Sequence, residues 1–159
     1  MNHPKEEKTL VLIKPDAMQR GLLGEIVHRF EREGLKIVGM KMMRLDEVIL
    51  KEHYAHHADK PFFVNLAKFM SSSPVVAVAI SGIGAVKSVR GLVGPTKSFE
   101  APAGSIRGDF GMSGQANLVH ASDPAEDPAG EVRRFFREEE LFGYKKIDFD
   151  TVYSEEERA

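Results

Sequence analysis

One histidine in the sequence stands in a setting that suits phosphoryl chemistry. His120 lies in the segment NLVHASD, residues 117–123, where an apolar stretch gives way to polar residues at the end of a predicted strand. Imidazole is a nucleophile that titrates near neutral pH, and it can accept a phosphoryl group on one nitrogen when an acceptor holds the other. Glu131, on the next predicted helix, is the best candidate for that acceptor, and Ser122 would orient its carboxylate. The alternative is a structural histidine in a strand-turn, the commoner role of an isolated histidine.

Three cations are candidates for binding a phosphate group. Lys14 ends the first predicted strand, Arg90 lies on a predicted helix, and Arg107 lies in a glycine-rich loop. Phosphoryl transfer requires fixed positive charge around the migrating group, and the arginine fork matches phosphate geometry. Most of the 22 basic residues must be solvated surface, so the pattern alone does not select these three.

A glycine-rich segment, GLVGPTKS at residues 91–98, has some features of a P-loop but lacks two of its requirements. Thr96 precedes Lys97 where the motif has glycine, and a predicted helix precedes the segment where the motif has a strand. We therefore do not interpret this segment as a P-loop.

A stretch rich in histidine and phenylalanine offers two further kinds of contact. His53 and His57 lie four apart in a predicted helix, a possible metal pair, but no third ligand is evident and separate roles are favoured. Of Phe62 and Phe63, one should enter the core. The other, if exposed, would stack on a base, and burial of both is an equally good interpretation.

The elements that must position these residues follow from hydrophobic periodicity. Apolar runs predict strands at 9–13, 35–43, 75–80 and 117–119, and helical spacing predicts helices at 21–33, 46–54, 61–70, 82–93 and 131–137. Residues 94–115 hold five glycines and no clear period, which predicts a long irregular loop. With the helical insertion at 46–70 set aside, the order is βαββαβ. This is a ferredoxin-like α/β fold, an α+β sandwich on a four-stranded antiparallel sheet.

Composition limits the remaining possibilities. The 159 residues predict a single domain (1–159) with a flexible N-terminus at 1–8 and a C-terminal tail at 144–159. The net charge of −2 provides no field for nucleic acid, and the absence of cysteine excludes disulfides and thiolate metal sites. The N-terminus shows no signal peptide, and the longest apolar run is too short to cross a bilayer. A cytoplasmic protein without membrane or nucleic-acid partners is expected.

Taken together, these segments resemble the nucleoside diphosphate kinase family. The matching pieces, in the family's order from residue 9 to about 142, are KPDAMQRG (14–21), HY (53–54), KPFF (60–63), RGDF (107–110) and NLVHASD (117–123). The resemblance implies transfer of the terminal phosphate of a nucleoside triphosphate such as ATP to a nucleoside diphosphate, by a ping-pong mechanism through a phosphohistidine at His120. Mg²⁺ would bridge the nucleotide phosphates without a direct protein ligand, with Asp123 reaching it through water. The alternative is a nucleotide-binding regulatory module of the same fold without turnover.

The resemblance also assigns roles to particular residues. The catalytic group would be His120, Glu131, Ser122, Tyr54 and Lys14. The nucleotide would contact Lys14 and Asn117 at the ribose, Phe62 and Leu66 at the base, and Lys14, His57, Arg90, Thr96 and Arg107 at the phosphates.

Three positions depart from the family pattern. Ala121 replaces the glycine common after the histidine, so its methyl needs room and a tolerated φ. Gly114 stands where an apolar residue usually covers the second face of the base, which leaves either a weaker clamp or Met112 as a substitute. Ser98 replaces a proline that stiffens a loop used in subunit contacts. The family implies a homo-oligomer of stacked dimers, for which a hexamer is favoured over a tetramer.

Overall fold

A four-stranded antiparallel sheet forms the centre of the computed structural model, which describes residues 3–159. The strands are β1 (Glu6–Ile13), β2 (Lys36–Met43), β3 (Val75–Ile83) and β4 (Val119–Ala121), in the spatial order β2-β3-β1-β4. All neighbouring strands run antiparallel. The predicted ferredoxin-like arrangement is confirmed.

The helices of the described residues are mostly short. They are α1 (Pro15–Gln19), α2 (Leu23–Arg32), α3 (Glu47–His53), α4 (Phe63–Met70), α5 (Ala85–Val93), α6 (Ile106–Phe110), α7 (Pro128–Phe135), α8 (Phe149–Val152) and α9 (Glu155–Arg158), with 3₁₀ turns at Ala55–His57, Ser98–Glu100 and Glu138–Glu140. None of these helices is long and apolar enough to span a membrane.

Both faces of the sheet are covered, which explains the continuous apolar runs in its central strands. Because successive side chains point to opposite faces, Val11 and Ile13 enter one core cluster, whereas Leu10 and Leu12 enter the other. The first cluster includes side chains of α2 and α5, and the second includes side chains of α3, α4 and α7. The core therefore fixes the sheet between two helical layers.

The first strand begins at Glu6, earlier than predicted. Glu6–Lys8 pair with the end of β3, and the Glu6 carboxylate accepts hydrogen bonds from the buried Lys36 Nζ at 2.8 and 2.9 Å. The prediction of a flexible N-terminus through residue 8 is therefore wrong for these three residues. Met1 and Asn2 lie outside the described residues.

The last strand lies two residues later than the predicted 117–119, so His120 sits in the middle of β4 and not after its end. The reason is a kink at Leu118, which has a φ of 73° and cannot continue an extended strand. His120 is held opposite Leu12 of β1 by this ladder. The backbone on both sides of the histidine is thereby fixed.

Other boundaries differ for local reasons. Strand β3 runs on to Ile83, so α5 begins at Ala85, after Gly84 in the left-handed region. Helix α7 begins at Pro128 because the Asp127 side chain accepts a hydrogen bond from the Gly130 amide at 2.8 Å. The predicted irregular loop at 94–115 contains α6 and a 3₁₀ turn.

The tail from Tyr144 onward packs on the body of the domain. Lys36 Nζ donates to the Tyr144 carbonyl at 2.9 Å, and the Ile83 amide donates to the Tyr153 hydroxyl at 3.1 Å. Val152 lies so close to Gly34 that a Cβ on that glycine would stand 2.7 Å from its Cγ1. The tail is therefore ordered against the ends of β2 and β3.

Candidate active site

A cleft of about 460 Å³ collects the residues selected from the sequence. Its lining includes every predicted nucleotide-contacting residue together with Tyr54 and His120: Lys14, Tyr54, His57, Phe62, Leu66, Arg90, Thr96, Arg107, Asn117 and His120. These residues come from segments more than 100 positions apart in the chain. Their convergence is the first evidence that the motifs form one site.

His120 is held from behind by a carboxylate. Its Nε2 lies 3.1 Å from Glu131 Oε2, and Ser122 Oγ donates to the same oxygen at 2.6 Å. Burial alone would raise the pKa of Glu131, but the hydrogen bonds from His120 and Ser122 and the charge of the imidazole lower it to about 2. Glu131 is therefore an anion at neutral pH, and the hydrogen bond it accepts leaves His120 Nδ1 free.

The direction of the Ser122 hydroxyl follows from its backbone setting. The Leu10 amide donates to Ser122 Oγ at 3.0 Å, and the Ser122 amide donates to the Leu10 carbonyl at 3.1 Å. Since the hydroxyl already accepts from Leu10, its own proton is available for Glu131. Strand β1 thus positions the serine, and the serine helps to position the carboxylate.

The cationic wall of the cleft includes a buried lysine. Lys14 Nζ donates to Asn117 Oδ1 at 2.6 Å, and Asn117 Nδ2 donates to the carbonyls of Thr96 and Gly114 at 2.8 and 2.9 Å. Burial, reinforced by the neighbouring Arg107 charge, lowers the pKa of Lys14 to about 8, although Asp16 acts in the opposite direction. The ammonium is therefore charged at pH 7 and loses its proton as the pH rises through about 8.

Arg107 joins the irregular loop to the last strand. Its guanidinium donates to the carbonyls of Asn117 at 3.2 Å and Gly94 at 2.9 Å, and also to the carbonyl of Val119. Burial and the Arg90 charge lower the pKa of Arg107 to about 10, so it remains a cation at neutral pH. One side chain thus fixes the backbone and adds positive charge to the cleft.

Arg90 faces the cleft from α5. Its Nη1 donates to the Ala121 carbonyl at 3.3 Å, and its Nη2 lies 3.5 Å from Asp123 Oδ2. Both side chains are partly exposed, so this ion pair is weak and can yield to an anionic ligand.

The structure agrees with the interpretation in which one phenylalanine is buried and the other is exposed. Phe63 is 8% exposed and enters the core, whereas Phe62 is 48% exposed and lines the cleft. The His57 ring lies 5.2 Å from the Phe62 ring, which supports it from one side. An exposed aromatic ring at the mouth of a cationic cleft is suited to stacking on a base.

The comparison with known families decides what this arrangement represents. The family model described as nucleoside diphosphate kinase matches residues 7–141. The chain belongs to the nucleoside diphosphate kinase family.

Relatives and solved structures agree along nearly the whole length. The nucleoside diphosphate kinase of Archaeoglobus fulgidus is 47% identical over 149 residues, which cover 94% of this chain and 99% of that protein. The one from Parabacteroides distasonis is 48% identical over 151 residues, covering 95% and 99%. The solved structure of the Halobacterium salinarum nucleoside diphosphate kinase in complex with CDP matches with a TM-score of 0.92 at 44% identity, covering 94% of this chain and 99% of that one.

Two departures from the nucleoside diphosphate kinase pattern are tolerated by the backbone. Ala121 lies in the extended strand β4. Among the described residues, Leu118 is the non-glycine residue with a positive φ, so Ala121 has an ordinary backbone conformation that accepts a methyl group. Ser98 is buried, and its amide donates to the Ser113 carbonyl at 3.4 Å, a bond that proline could not form.

The third departure leaves an open position in the lining of the cleft. A Cβ on Gly114 would have Lys97 Cγ, at 3.9 Å, as its nearest neighbour outside the adjoining residues, so that position is open. Met112 is 85% exposed and does not line the cleft. Of the two alternatives, the structure therefore favours an uncovered second face over a substitute from Met112.

The histidine pair predicted as a possible metal site is not a helical pair. Helix α3 ends at His53, and His57 belongs to the following 3₁₀ turn. The structure instead brings ligand atoms of His53, His120 and Glu131 within 4.8 Å of one another. Arg134 Nη1 lies 3.3 Å from His53 Nδ1, and its charge works against a cation there. Burial lowers the pKa of His53 to about 2, with the neighbouring His120 acting in the same direction, so this ring is neutral.

Sequence reasoning misses three residues of the cleft. Gln115 lines it beside Gly114, and His56 and Glu126 face each other with Nε2 and Oε1 3.6 Å apart. Gln115 lies in a segment without periodicity, and the other two are separated by 70 positions. No local pattern in the sequence could have identified them.

Proposed function

We propose that this protein transfers the terminal phosphate of a nucleoside triphosphate to a nucleoside diphosphate through His120. The observation that carries the proposal is the hydrogen bond between His120 Nε2 and Glu131, which leaves Nδ1 as the nucleophilic nitrogen on the wall of a cationic cleft. Two half-reactions at one site serve the donor and the acceptor in turn. The silent-module alternative is disfavoured because the histidine and all three cations line the same cleft.

The chemistry proceeds as two matched displacements. The lone pair of His120 Nδ1 forms a bond to the terminal phosphorus as the bond to the bridging oxygen breaks, and the nucleoside diphosphate leaves with that electron pair. The imidazole becomes cationic, and the Glu131 carboxylate offsets the new charge through Nε2–H. In the second half-reaction, a terminal oxygen of another nucleoside diphosphate attacks the phosphorus, and the N–P electrons return to His120.

The remaining roles follow from the groups that line the cleft. Lys14, Arg90, Arg107, Thr96 and His57 would bind phosphate oxygens, and Lys14 with Asn117 would contact the ribose. Tyr54 would sit beside the imidazole, since its ring centre lies 6.0 Å from that of His120. Phe62 and Leu66 would form the base slot, a type of contact that any base can make.

The site suits Mg²⁺ bound mainly through the nucleotide. Magnesium commonly takes one or two carboxylates together with substrate phosphates and waters. Asp123 supplies one partly exposed carboxylate on the cleft wall, where Oδ2 forms a weak pair with Arg90 and Oδ1 accepts a hydrogen bond from the Ala125 amide at 2.8 Å. Asp123 would hold the ion through a water molecule, and the ion would neutralise part of the negative charge of the phosphates.

The oligomeric state and the cellular location of the enzyme are proposed from the family resemblance and the composition. A homo-oligomer is expected, with a hexamer favoured over a tetramer, and Ser98 affects the loop used in its contacts. A single domain acting in the cytoplasm, without membrane or nucleic-acid partners, is consistent with the balanced charge.

A labelling experiment tests the proposed function. The protein is incubated with Mg-ATP labelled on the terminal phosphate and then freed of nucleotide. We expect protein-bound label that is lost in acid, is stable in base, and is released as labelled triphosphate on addition of a nucleoside diphosphate. Protein that retains no label would contradict the mechanism.

Replacing Phe62 by alanine should weaken binding of purine and pyrimidine nucleotides alike. Stacking on an aromatic ring contributes ~1–3 kcal/mol per base, so KM should rise roughly 5- to 150-fold with a smaller change in kcat. Kinetics with four diphosphates measure this, and Phe99→Ala, at another exposed phenylalanine, is the control. A loss confined to one base would indicate recognition of base edges instead of stacking.

The activity should decline in alkaline solution as Lys14 loses its proton. The pKa of Lys14 is lowered to about 8, so the ammonium is present below that pH and is lost as the pH rises through it. We expect kcat/KM, which reports the free enzyme, to fall about tenfold per pH unit above this point. Lys14→Arg should remove this limb, because guanidinium keeps its charge. A wild-type profile that stays flat to pH 10 would contradict a required Lys14 ammonium.

A further inference from the structure

The residue before β4 holds an unusual backbone conformation. Leu118 has a φ of 73°, which is costly for a residue that carries a Cβ. Its side chain is fully buried. Something in the surrounding structure must stabilise it.

Both peptide groups of Leu118 are bound by one short segment at the end of β1. The Leu118 amide donates to Asp16 Oδ2 at 3.0 Å, and its carbonyl accepts from the Lys14 amide at 2.9 Å. Asp16 lies in the first turn of α1, where Pro15 fixes the backbone beside it. The carboxylate is therefore the side chain that secures the kink.

The kink decides what the flanking residues can reach. Immediately before it, Asn117 meets Lys14 Nζ through its side chain and Arg107 through its carbonyl. Immediately after it, β4 begins and carries His120 into the cleft. A backbone that relaxed at Leu118 would move the sugar-binding and nucleophilic residues relative to each other.

The charge of Asp16 matters as well as its hydrogen bond. Its second oxygen, Oδ1, is buried and has no hydrogen-bond partner among the described residues. Lys14 and Arg107 repel each other, and Asp16 is the carboxylate that raises the pKa of both. Arg90, His57, His120 and Asp123 are further charged or titratable residues that line the same cleft as Lys14 and Arg107.

We propose that Asp16 is a positioning residue of this enzyme: it holds the Leu118 kink through one carboxylate oxygen and sets its negative charge beside Lys14, whose amide binds the other side of the same kink. It touches neither the reacting atoms nor a nucleotide-contacting surface of the cleft lining. The inference rests on the roles proposed above for Lys14 and His120.

Two substitutions separate the charge from the hydrogen bond. Asp16→Asn keeps an oxygen that can accept from the Leu118 amide but loses the charge, so its basic limb of kcat/KM should move to lower pH by roughly half to one unit. Asp16→Ala also loses the acceptor, so its kcat should fall ~10- to 100-fold at every pH, as expected for a displaced site. Melting temperatures of both variants distinguish a shifted site from a protein that has not folded.

A double-variant cycle tests whether the charge acts through Lys14. In a Lys14→Gln background, Asp16→Asn should change kcat/KM less than about twofold, because the group it tunes is absent. Asp46→Asn is the matched control, since that exposed aspartate also accepts a backbone amide at the start of a helix, from Ile49 at 2.9 Å. It should leave the pH profile unchanged.

The outcomes separate this inference from the proposed function. If Lys14→Gln and His120→Ala impair the enzyme while Asp16→Asn leaves the basic limb in place, the charge role of Asp16 is wrong. If folded Asp16→Ala keeps the wild-type kcat, the positioning role is wrong. If Lys14→Gln itself has wild-type kinetics, the proposed role of Lys14 is wrong, and the charge of Asp16 cannot act through Lys14.

Discussion

Replacement of His120 by alanine is expected to abolish the phosphoenzyme and to lower kcat by on the order of 10⁴-fold or more, as for the loss of other covalent nucleophiles. The reason is geometric. His120 lies on the cleft wall with its Nε2 3.1 Å from the buried carboxylate of Glu131, and its side chain is 19% exposed, enough to meet a phosphate. Labelled ATP and steady-state kinetics with a second diphosphate measure the two losses separately.

The controls address folding and the identity of the labelled residue. His28→Ala removes a histidine on α2 that does not line the cleft, and it should retain full labelling. His120→Ala should still bind nucleotide, because Phe62 and the cations remain. Full retention of acid-labile label by the His120 variant would move the phosphate acceptor to another residue, of which the neighbouring His53 would be the first to examine.

The fold can be predicted from the sequence because it depends mainly on local hydrophobic patterns. The runs at 9–13 and 75–80 are largely apolar, which indicates strands covered on both faces. The stripe through Ile26 and Phe30 has helical spacing, and both residues are fully buried in the structure. Alternating and helical periods of this kind survive changes in tertiary context.

Short elements cannot be predicted in the same way, since five residues carry too little periodicity. The sequence indicates only a proline turn where α1 forms, and only an irregular loop where α6 forms. The position of β4 depends on the kink at Leu118, which is set by Asp16, 102 positions away. A hydrogen bond over that separation leaves no local trace in the sequence, so periodicity places the strand two residues early.

The site shows the same division between local and distant information. The local pattern points to His120 and Glu131, and the structure places them 3.1 Å apart. The choice among 22 basic residues comes from the family resemblance and not from residue pattern. Pairings such as His56 with Glu126 arise only when distant segments meet, so no sequence pattern reveals them.

The arrangement around the histidine links the fold to the chemistry. Strand β1 aligns both His120, through its pairing with Leu12, and Ser122, through two bonds to Leu10. Helix α7 presents Glu131 in its first turn, where Asp127 caps the helix. Strands β1 and β4 and helix α7 thus converge on one imidazole, so the proposed nucleophile is oriented before substrate arrives. Preorganisation of this kind lowers the barrier without a conformational cost in each cycle.

Glu131→Gln is expected to slow phosphorylation of His120 by something like 10- to 10³-fold. Glutamine is similar in size but neutral, so it cannot offset the charge that develops on the imidazole as the N–P bond forms. If its amide nitrogen faces His120, it also favours the tautomer in which Nδ1 carries the proton and cannot attack. Rapid-quench measurement of label transfer from ATP reports this step directly.

The same variant should also differ from the wild type in how its stability depends on acid. The pKa of Glu131 is about 2 in the folded protein, below its ordinary value of 4.5. Its contribution to stability is therefore present above pH 4.5 and is lost as the pH falls toward 2. The Glu131→Gln variant should lack this part of the acid dependence, which thermal unfolding between about pH 3 and 7 would show.

Two comparisons determine whether the effect belongs to the charge beside His120. Ser122→Ala removes one hydrogen bond but leaves the anion, so phosphorylation should slow less than in Glu131→Gln. Glu139→Gln, at an exposed glutamate in the last 3₁₀ turn, should have wild-type kinetics. If Glu131→Gln instead phosphorylates at the wild-type rate, the carboxylate does not stabilise the transition state, and the orientation of His120 must come from the β4 backbone alone.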